Sequence, residues 1–220
     1  MIDNIYKEKY VDHELLNDIK NFYSTVNDTF SGGPFIDKGE LGTTYGMMGC
    51  ADRPLRLEYK SNPVHKLIAK LKEDMGDFHI HEGSIRYLYY PFGPHSDVRS
   101  NEHLLESWKK YRNGYTFIIP LQWKPECKPG TAFFDSPPKQ DQQLMCERHD
   151  VIPKLNKSSA SKNFGIKKLM PWKNPGDLIA WMNYQYHSSM IGGDWAYNDK
   201  EWCKEFISIE TYRYKDKEYL

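Results

Sequence analysis

His95 and Asp97, separated by one serine, are the residues whose types and spacing best fit metal chemistry in this chain. Side chains two positions apart on a β-strand point to the same side, so an imidazole and a carboxylate would face one point. His187, far downstream, could add a third ligand from a neighbouring strand. Two histidines and one carboxylate leave three coordination sites open, as non-haem Fe(II) requires to bind a cosubstrate and O₂. The pattern therefore predicts a facial metal triad.

Each of these residues also has an ordinary structural interpretation. The segment PFGPHSD is rich in turn-forming residues, so His95 and Asp97 could belong to a surface turn that the carboxylate caps. His187 follows two aromatic residues in YQYH, a setting typical of a buried, hydrogen-bonded histidine. His79 and His81 share the same spacing but have no acidic residue in matching register, so we interpret them as structural.

The charge balance and the hydropathy pattern exclude several classes of protein. The 220 residues carry 30 basic and 30 acidic side chains. A sequence-independent nucleic-acid binder or a polybasic membrane binder needs a cationic face, so we expect neither partner. No apolar run approaches the length of a transmembrane helix, and the N-terminal MIDNIYKEKY has no signal-peptide core. With no Cys-x-x-Cys motif, the sequence predicts a cytoplasmic protein with four reduced thiols: Cys50, Cys127, Cys146 and Cys203.

Two helices are predicted before the β-rich part of the chain. Asp12 can cap a helix over residues 13–27, where apolar side chains recur at helical spacing. Pro63 opens a second helix, which Gly76 ends. The Gly-rich stretch between these helices is predicted to be loop with a short hairpin, and the polar segment at 101–112 to be a further helix.

From residue 79 onward the pattern changes to short β runs: HIHEGSIRYLYY, GYTFIIPLQW, TAFFD, GDLIAWMN and EFISIETYRY. Residues 136–168 are rich in Pro, Lys and Ser without periodicity, and are predicted to form a long loop that covers a site. The chain contains no repeat and no second core. We therefore predict one domain over residues 1–220, with a helical N-terminal part at 1–78 and a β-barrel core at 79–214.

The ordered fragments resemble the 2-oxoglutarate-dependent Fe(II) oxygenases, in particular the compact prolyl-hydroxylase-like branch. The first fragment is an aromatic strand that leads to His-x-Asp, IRYLYYPFGPHSD, and the second is a strand before a Thr-x-Phe element, YTFIIPLQWKPECKPGTAFFD. The third is a Pro-Gly-Asp turn with an apolar strand, NPGDLIAWMN, and the fourth contains the second His, YQYHSSM. The resemblance covers residues 80–214. It implies a mainly β (α+β) fold, a double-stranded β-helix (a jelly-roll, cupin-like barrel) with supporting N-terminal helices.

The resemblance also implies a role for each ligand candidate. His95, Asp97 and His187 would hold Fe(II) and form the catalytic centre, and 2-oxoglutarate would chelate the metal through its keto acid end. A basic residue at the start of the last long strand would bind the far carboxylate of this cosubstrate. The stretch IGGDWAYND, where the family usually places that residue, contains no Lys or Arg.

The cosubstrate anchor is therefore open between three basic residues. Lys204 immediately precedes the apolar strand EFISIETY and is our first choice, followed by Lys200 and then Arg213. A cation is needed there because an unpaired carboxylate buried in an apolar barrel would be very costly. Tyr87 and Tyr89 could each donate a phenolic hydrogen bond to the same carboxylate, although a tyrosine on a barrel strand is more often a packing residue.

By resemblance, O₂ would oxidise 2-oxoglutarate to succinate and CO₂, and a C–H bond of the substrate would be hydroxylated. A small-molecule or peptidyl substrate is expected, with a peptidyl or free amino-acid side chain as the first class. Oxidation of a nucleobase or another small metabolite is the alternative within the enzymes. A non-enzymatic cupin-like binding protein is the alternative outside them. The sequence does not indicate an oligomeric state.

Overall fold

The computed structural model describes two helices and ten strands, which position the candidate site. The described residues are 4–26, 31–33, 50–88, 97, 114–125, 127, 129–134, 166–189 and 204–213. Within these ranges neither helix is both long enough and apolar enough to cross a membrane. The predicted helix at 101–112 lies outside the described residues.

Helix α1 spans His13–Thr25 and begins where the sequence predicts. The carboxylate of Asp12 accepts a hydrogen bond from the backbone N–H of Leu15 at 2.8 Å, which satisfies a donor that the first helical turn leaves without a partner. Val26 adopts an extended backbone, so the helix ends two residues before the predicted position 27. One face of the helix is buried, through Leu16, Ile19 and Tyr23.

Helix α2 spans Val64–Met75 and confirms the second helix prediction. The side chain of Asn62 accepts a hydrogen bond from the backbone N–H of Val64 at 3.0 Å and so supports the start of the helix. Gly76 ends it with φ of 79°, in the region of backbone space that glycine adopts without steric cost. The buried side chains of this helix are Val64, Leu67 and Leu71.

Ten strands in the described ranges form two antiparallel sheets: β1 (Ile5–Lys7), β2 (Ser31–Gly33), β3 (Cys50–Pro54), β4 (His79–Leu88), β5 (Tyr115–Trp123), β6 (Gly130–Phe134), β7 (Ile166–Pro171), β8 (Leu178–Met182), β9 (His187–Ser189) and β10 (Lys204–Tyr212). Seven of them make a large sheet in the order β1-β8-β5-β10-β4-β3-β2. The other three make a small sheet in the order β7-β6-β9. Two sheets of this kind are the layers of a jelly-roll.

The large sheet carries one hydrophobic cluster on each of its faces. Side chains on one face pack against the helices, among them Phe117, Ala180 and Ile207, which are fully buried. Side chains on the opposite face meet the small sheet in a second cluster, formed by Leu88, Ile118, Ile179, Trp181 and Phe206 with Phe133, Met170 and Trp172. This second cluster lies inside the barrel, so the strand residues that alternate with the helix-facing core face the barrel interior.

Several features of the chain differ from the predicted organisation. The N-terminal part at 1–78 is not only helical, because it contributes β1, β2 and β3 to the large sheet. The segment 136–168 does not end as a loop, since its last three residues begin β7. The predicted hairpin corresponds to the antiparallel pairing of β2 with β3.

The Pro-Gly-Asp turn before β8 is fixed by a buried carboxylate. Asp177 has no exposed surface and accepts hydrogen bonds from the Tyr6 hydroxyl and from the backbone N–H groups of Lys9 and Asn174, the last two at 2.8 Å. Gly176 has φ of 82°, and a Cβ there would lie 2.6 Å from the carbonyl oxygen of Val11. The turn therefore ties the N-terminal strand β1 to the strand that carries Trp181.

Replacing Asp177 with alanine should lower the free energy of unfolding by about 3 kcal/mol, because three partly buried donors would lose their acceptor. Tyr6→Phe, which removes one of these donors and leaves the carboxylate with the other two, should cost about 1–2 kcal/mol. Urea unfolding followed by tryptophan fluorescence measures both values. Equal losses for the two variants would contradict the central role of the carboxylate.

Candidate functional site

Asp97 and His187, ninety residues apart in the sequence, meet inside the barrel. Oδ1 of Asp97 lies 3.6 Å from Nε2 of His187, and each side chain is only 7% exposed. That separation is long for a hydrogen bond. It suits two ligands of one ion, because ligands about 2.0–2.2 Å from a metal lie about 3 Å apart at a right angle and farther apart at wider angles.

The imidazole of His187 is oriented by the backbone of its own turn. Its Nδ1 lies 3.0 Å from the carbonyl oxygen of Gln185, which can only accept a hydrogen bond. The assigned tautomer therefore carries its proton on Nδ1 and leaves the lone pair of Nε2 directed at Asp97. A histidine that donates its other N–H to a carbonyl is the usual arrangement of a metal-ligating histidine.

The second oxygen of Asp97 is held by two donors. The hydroxyl of Thr116 lies 2.5 Å from Oδ2, and Nε1 of Trp181 donates to the same oxygen at 3.1 Å. The backbone N–H of Asp97 donates to the carbonyl of Asn183 at 3.1 Å, which places the residue beside the end of β8. Because Oδ2 is occupied in this way, Oδ1 is the oxygen presented to His187.

The third predicted ligand, His95, lies outside the described residues. Within those residues no group of three His, Cys, Asp or Glu side chains converges on one point. The donor set that is described, one neutral imidazole nitrogen and one carboxylate oxygen, fits the chemistry of Fe(II) or another first-row metal ion. Metal binding by His95, Asp97 and His187 therefore stays a prediction.

Lys204 is placed where the sequence argument required a cation. It is the first residue of β10 and is 2% exposed. Its Nζ lies 4.2 Å from the ring centroid of Trp172 and 5.7 Å from that of Phe206. A desolvated ammonium over a tryptophan face gains cation–π stabilisation.

One pocket between the two sheets joins these groups. As the described residues bound it, this pocket is partly open and has a cavity volume of about 50 Å³. Its walls include both members of the histidine–carboxylate pair, Lys204, and three large aromatic side chains, Trp172, Trp181 and Phe206. The pair and the cation therefore face one common space.

The other predicted cosubstrate contacts do not join this pocket within the described residues. Tyr87 lies on the opposite face of β4 from the pocket residue Arg86, and it packs against the helix-side core. Burial there, with Glu205 nearby, raises its pKa. The prediction that Tyr87 binds 2-oxoglutarate does not fit this placement, because alternation on a strand turns its hydroxyl away. Tyr89 and Lys200 lie outside the described residues.

Arg213, the third choice for the anchor, is engaged elsewhere. Its guanidinium donates to the carbonyl oxygen of Met75 at the end of α2 and lies 5.2 Å from the ring centroid of Tyr115. Tyr115 belongs to the core on the helix side of the large sheet. Arg213 therefore stabilises the end of a helix, outside the barrel interior.

An ion-pair network that the sequence argument missed lies beside the pocket and reaches its wall through Arg86. Arg86 lines the pocket and pairs with Asp52 at 3.2 Å, Glu82 at 3.1 Å and Glu210 at 3.3 Å. Burial raises the pKa of Glu210 to about 8, the negative charge of Asp97 adds to this rise, and Arg86 opposes it. Strand alternation in IRYL would have placed Arg86 on the same face as Leu88, but no local signal shows which distant carboxylates it meets.

Comparison with solved structures identifies the fold. The chain is similar to the non-haem α-ketoglutarate-dependent carbocyclase SnoK from nogalamycin biosynthesis, with a TM-score of 0.56 and 9% identity over 95% of this chain and 79% of that one. It is also similar to the α-ketoglutarate-dependent epimerase SnoN from the same biosynthesis, with a TM-score of 0.52 and 10% identity over 97% and 81% of the two chains. The chain is a double-stranded β-helix.

A further similar structure is a prolyl hydroxylase from Trichoplax adhaerens in complex with a hypoxia inducible factor peptide fragment. Its TM-score is 0.50, with 9% identity over 95% of this chain and 83% of that one. No protein-family model and no curated protein matches the sequence. The predicted double-stranded β-helix is thus confirmed by structure alone, and within it the pocket between the two sheets holds Asp97, His187 and Lys204.

Proposed function

We propose that this protein is an Fe(II)- and 2-oxoglutarate-dependent dioxygenase that hydroxylates a C–H bond. The observation that carries the proposal is the pairing of Asp97 with His187 at 3.6 Å in a pocket that also contains the buried cation of Lys204. A metal ligand pair and a cation in one apolar cavity are what a chelating dicarboxylate needs, because both of its charged ends must be compensated away from water.

Nε2 of His187, Oδ1 of Asp97 and an imidazole nitrogen of His95 would hold the metal. Bound Fe(II) with O₂ would supply the oxidation of 2-oxoglutarate to succinate and CO₂ together with the hydroxylation of the substrate. Trp181 and Thr116 orient the carboxylate of Asp97 by donating to its second oxygen. This support leaves Oδ1 as the one oxygen of Asp97 directed at the metal position.

Lys204 would bind the distal carboxylate of 2-oxoglutarate, assisted by Thr131. The hydroxyl oxygen of Thr131 lines the pocket and accepts a hydrogen bond from Nε1 of Trp172 at 3.2 Å, so its own proton is left to donate. The ring of Trp172 contacts Lys204 as well, which places both donors around one indole. The indole excludes water from the carboxylate and strengthens both interactions.

The proposed substrate class is a peptidyl or free amino-acid side chain, and the reaction is hydroxylation. Support comes from the fold shared with the prolyl hydroxylase that was solved with a peptide. The small-molecule enzymes SnoK and SnoN, which share the fold, mark a small metabolite as the second possibility.

The proposal is tested by measuring succinate released from 2-oxoglutarate by the purified protein in air with Fe(II). Oxygenases of this kind turn over their cosubstrate slowly without substrate, so we expect succinate formation that EDTA abolishes and that Fe(II), but not Zn(II), restores. Binding of 2-oxoglutarate measured by calorimetry with Zn(II) present provides a second readout. Absence of both turnover and binding would assign the chain to the non-enzymatic jelly-roll proteins.

A further inference from the structure

The last long strand presents a second set of polar groups to the pocket, beyond the cosubstrate anchor. Lys204, Phe206 and Ser208 alternate on one face of β10 and all line the pocket, and Glu210 continues the same alternation. Ser208 is 2% exposed, and its hydroxyl has no hydrogen-bond partner among the described residues. A buried hydroxyl without a partner is costly, so a ligand group that bonds to it would recover that free energy.

The wall beside Ser208 carries excess negative charge. Arg86 is shared by three carboxylates, and even Glu82 and Glu210 alone set two negative charges against one guanidinium. The side chain of Glu210 is only 13% exposed, so water screens its charge weakly. Burial, with the negative charge of Asp97, raises the pKa of Glu210 to about 8, so a cationic group placed beside this carboxyl would favour its ionised form.

This wall adjoins the histidine–carboxylate pair. Glu210 pairs with Thr116 across β10 and β5, and the hydroxyl of Thr116 lies 2.5 Å from Oδ2 of Asp97. Ser208 pairs with Ile118 one step farther along the same two strands. Lys204 lies at the start of β10, so the acidic wall and the cosubstrate anchor occupy different ends of the strand.

The net charge of a pocket that holds both metal ion and 2-oxoglutarate determines which charge of substrate it favours. Among the described residues at and beside the pocket, Lys204 and Arg86 contribute two positive charges, and four carboxylates contribute up to four negative charges: Asp52, Glu82, Asp97 and Glu210. A divalent metal ion and dianionic 2-oxoglutarate cancel each other. The remaining charge is negative and lies on the Glu82–Glu210 side, where it would repel an anionic group and attract a cationic one.

We propose that Glu210 and Ser208 form the substrate subsite for a cationic nitrogen, either a primary ammonium or a guanidinium group. Such a group has only donors, which match the carboxylate oxygens of Glu210 and the acceptor lone pairs of the Ser208 hydroxyl. The substrate class is then an amine, a free amino acid or a basic side chain. This assignment of the ligand as substrate rests on the proposed function, whereas the affinity for the cation does not.

The opposing interpretation is that Arg86 and its carboxylates only tie β3, β4 and β10 together. A purely structural network would not distinguish a cationic ligand from a neutral one of the same shape. It would also give no reason for a hydroxyl without a partner at Ser208. Binding of matched charged and uncharged probes therefore separates the two interpretations.

The experiment compares n-pentylamine with n-pentanol by ligand-detected NMR on the full chain loaded with Zn(II) and 2-oxoglutarate. We expect the amine to bind at least about tenfold more tightly, the size typical of a charge-assisted hydrogen bond. Glu210→Gln should reduce that preference to less than about threefold. Glu205→Gln is the matched control, because Glu205 is a buried carboxylate on the same strand that accepts from Gln122 on the opposite face.

Ser208→Ala provides a second arm that does not depend on how Glu210→Gln folds. It removes a hydroxyl that bonds to no described residue, so the fold should be unchanged while the affinity for the amine falls about threefold to tenfold. An amine that binds no better than the alcohol, or a preference that survives both substitutions, would overturn the inference.

The same titrations distinguish a failure of this inference from a failure of the proposed function. A protein that binds 2-oxoglutarate but shows no preference for the amine has the proposed function without the cationic subsite. A protein that prefers the amine in a Glu210-dependent way without binding 2-oxoglutarate has the subsite but not the proposed function.

Discussion

His187→Ala should lower the affinity for Fe(II) by more than about 100-fold and abolish measurable release of succinate from 2-oxoglutarate. Loss of a residue that only orients a metal ligand typically costs about 10–100-fold in affinity, so loss of the ligand itself should cost more. The substitution removes Nε2, which faces Asp97 at 3.6 Å. Metal affinity is measured by competition with a chromophoric chelator, and succinate by mass spectrometry.

Two controls make this result specific to the metal. His65→Ala changes an exposed histidine on α2 and should leave both readouts unchanged. Trp181→Phe keeps an aromatic ring but removes the N–H that donates to Asp97, so it should cost about 10–100-fold in metal affinity. Wild-type metal affinity in His187→Ala would show that the Asp97–His187 contact is a structural ion pair.

Lys204→Met should weaken binding of 2-oxoglutarate by a factor of tens to thousands while metal affinity is retained. Truncating one partner of a buried charged pair typically costs about 2–5 kcal/mol, which corresponds to that range in affinity. Methionine keeps the length and apolar character of the side chain over Trp172, so the pocket wall is preserved. Calorimetry with Zn(II) present gives the cosubstrate affinity.

The alternative anchor is tested in parallel. Lys200→Met should leave 2-oxoglutarate binding unchanged. Lys173→Met, at an exposed lysine that pairs with Glu8, serves as a control for a general loss of positive charge. If Lys200→Met loses the cosubstrate while Lys204→Met retains it, the anchor is assigned to the wrong lysine, and Lys204 has a structural role.

Local signals in the sequence were sufficient to predict most of the longer helices and strands. Asp12 and Gly76 mark helix ends because capping and glycine backbone freedom act over a few residues. The apolar runs of β5, β8 and β10 are buried on both faces and therefore stand out without any tertiary information. The position of Lys204 at the start of β10 followed from the same pattern.

Short strands were not predictable because their pairing, and not their own sequence, creates them. The segments IYK of β1 and HSS of β9 are three residues long and carry no period. The segment IKKLMP of β7 contains two charged residues and a proline. Each segment forms a strand because its backbone pairs with a neighbouring strand through hydrogen bonds.

The sequence by itself determined which residue types this protein has available for metal and carboxylate chemistry, and on which elements they lie. Only the tertiary structure decided which of them meet. Asp97 and His187 come together because antiparallel sheets bring distant segments into contact, whereas Tyr87 is turned away by strand alternation. The charged wall of Arg86 and Glu210 likewise exists only because β4 and β10 are neighbours, a contact that depends on the packing of the whole barrel.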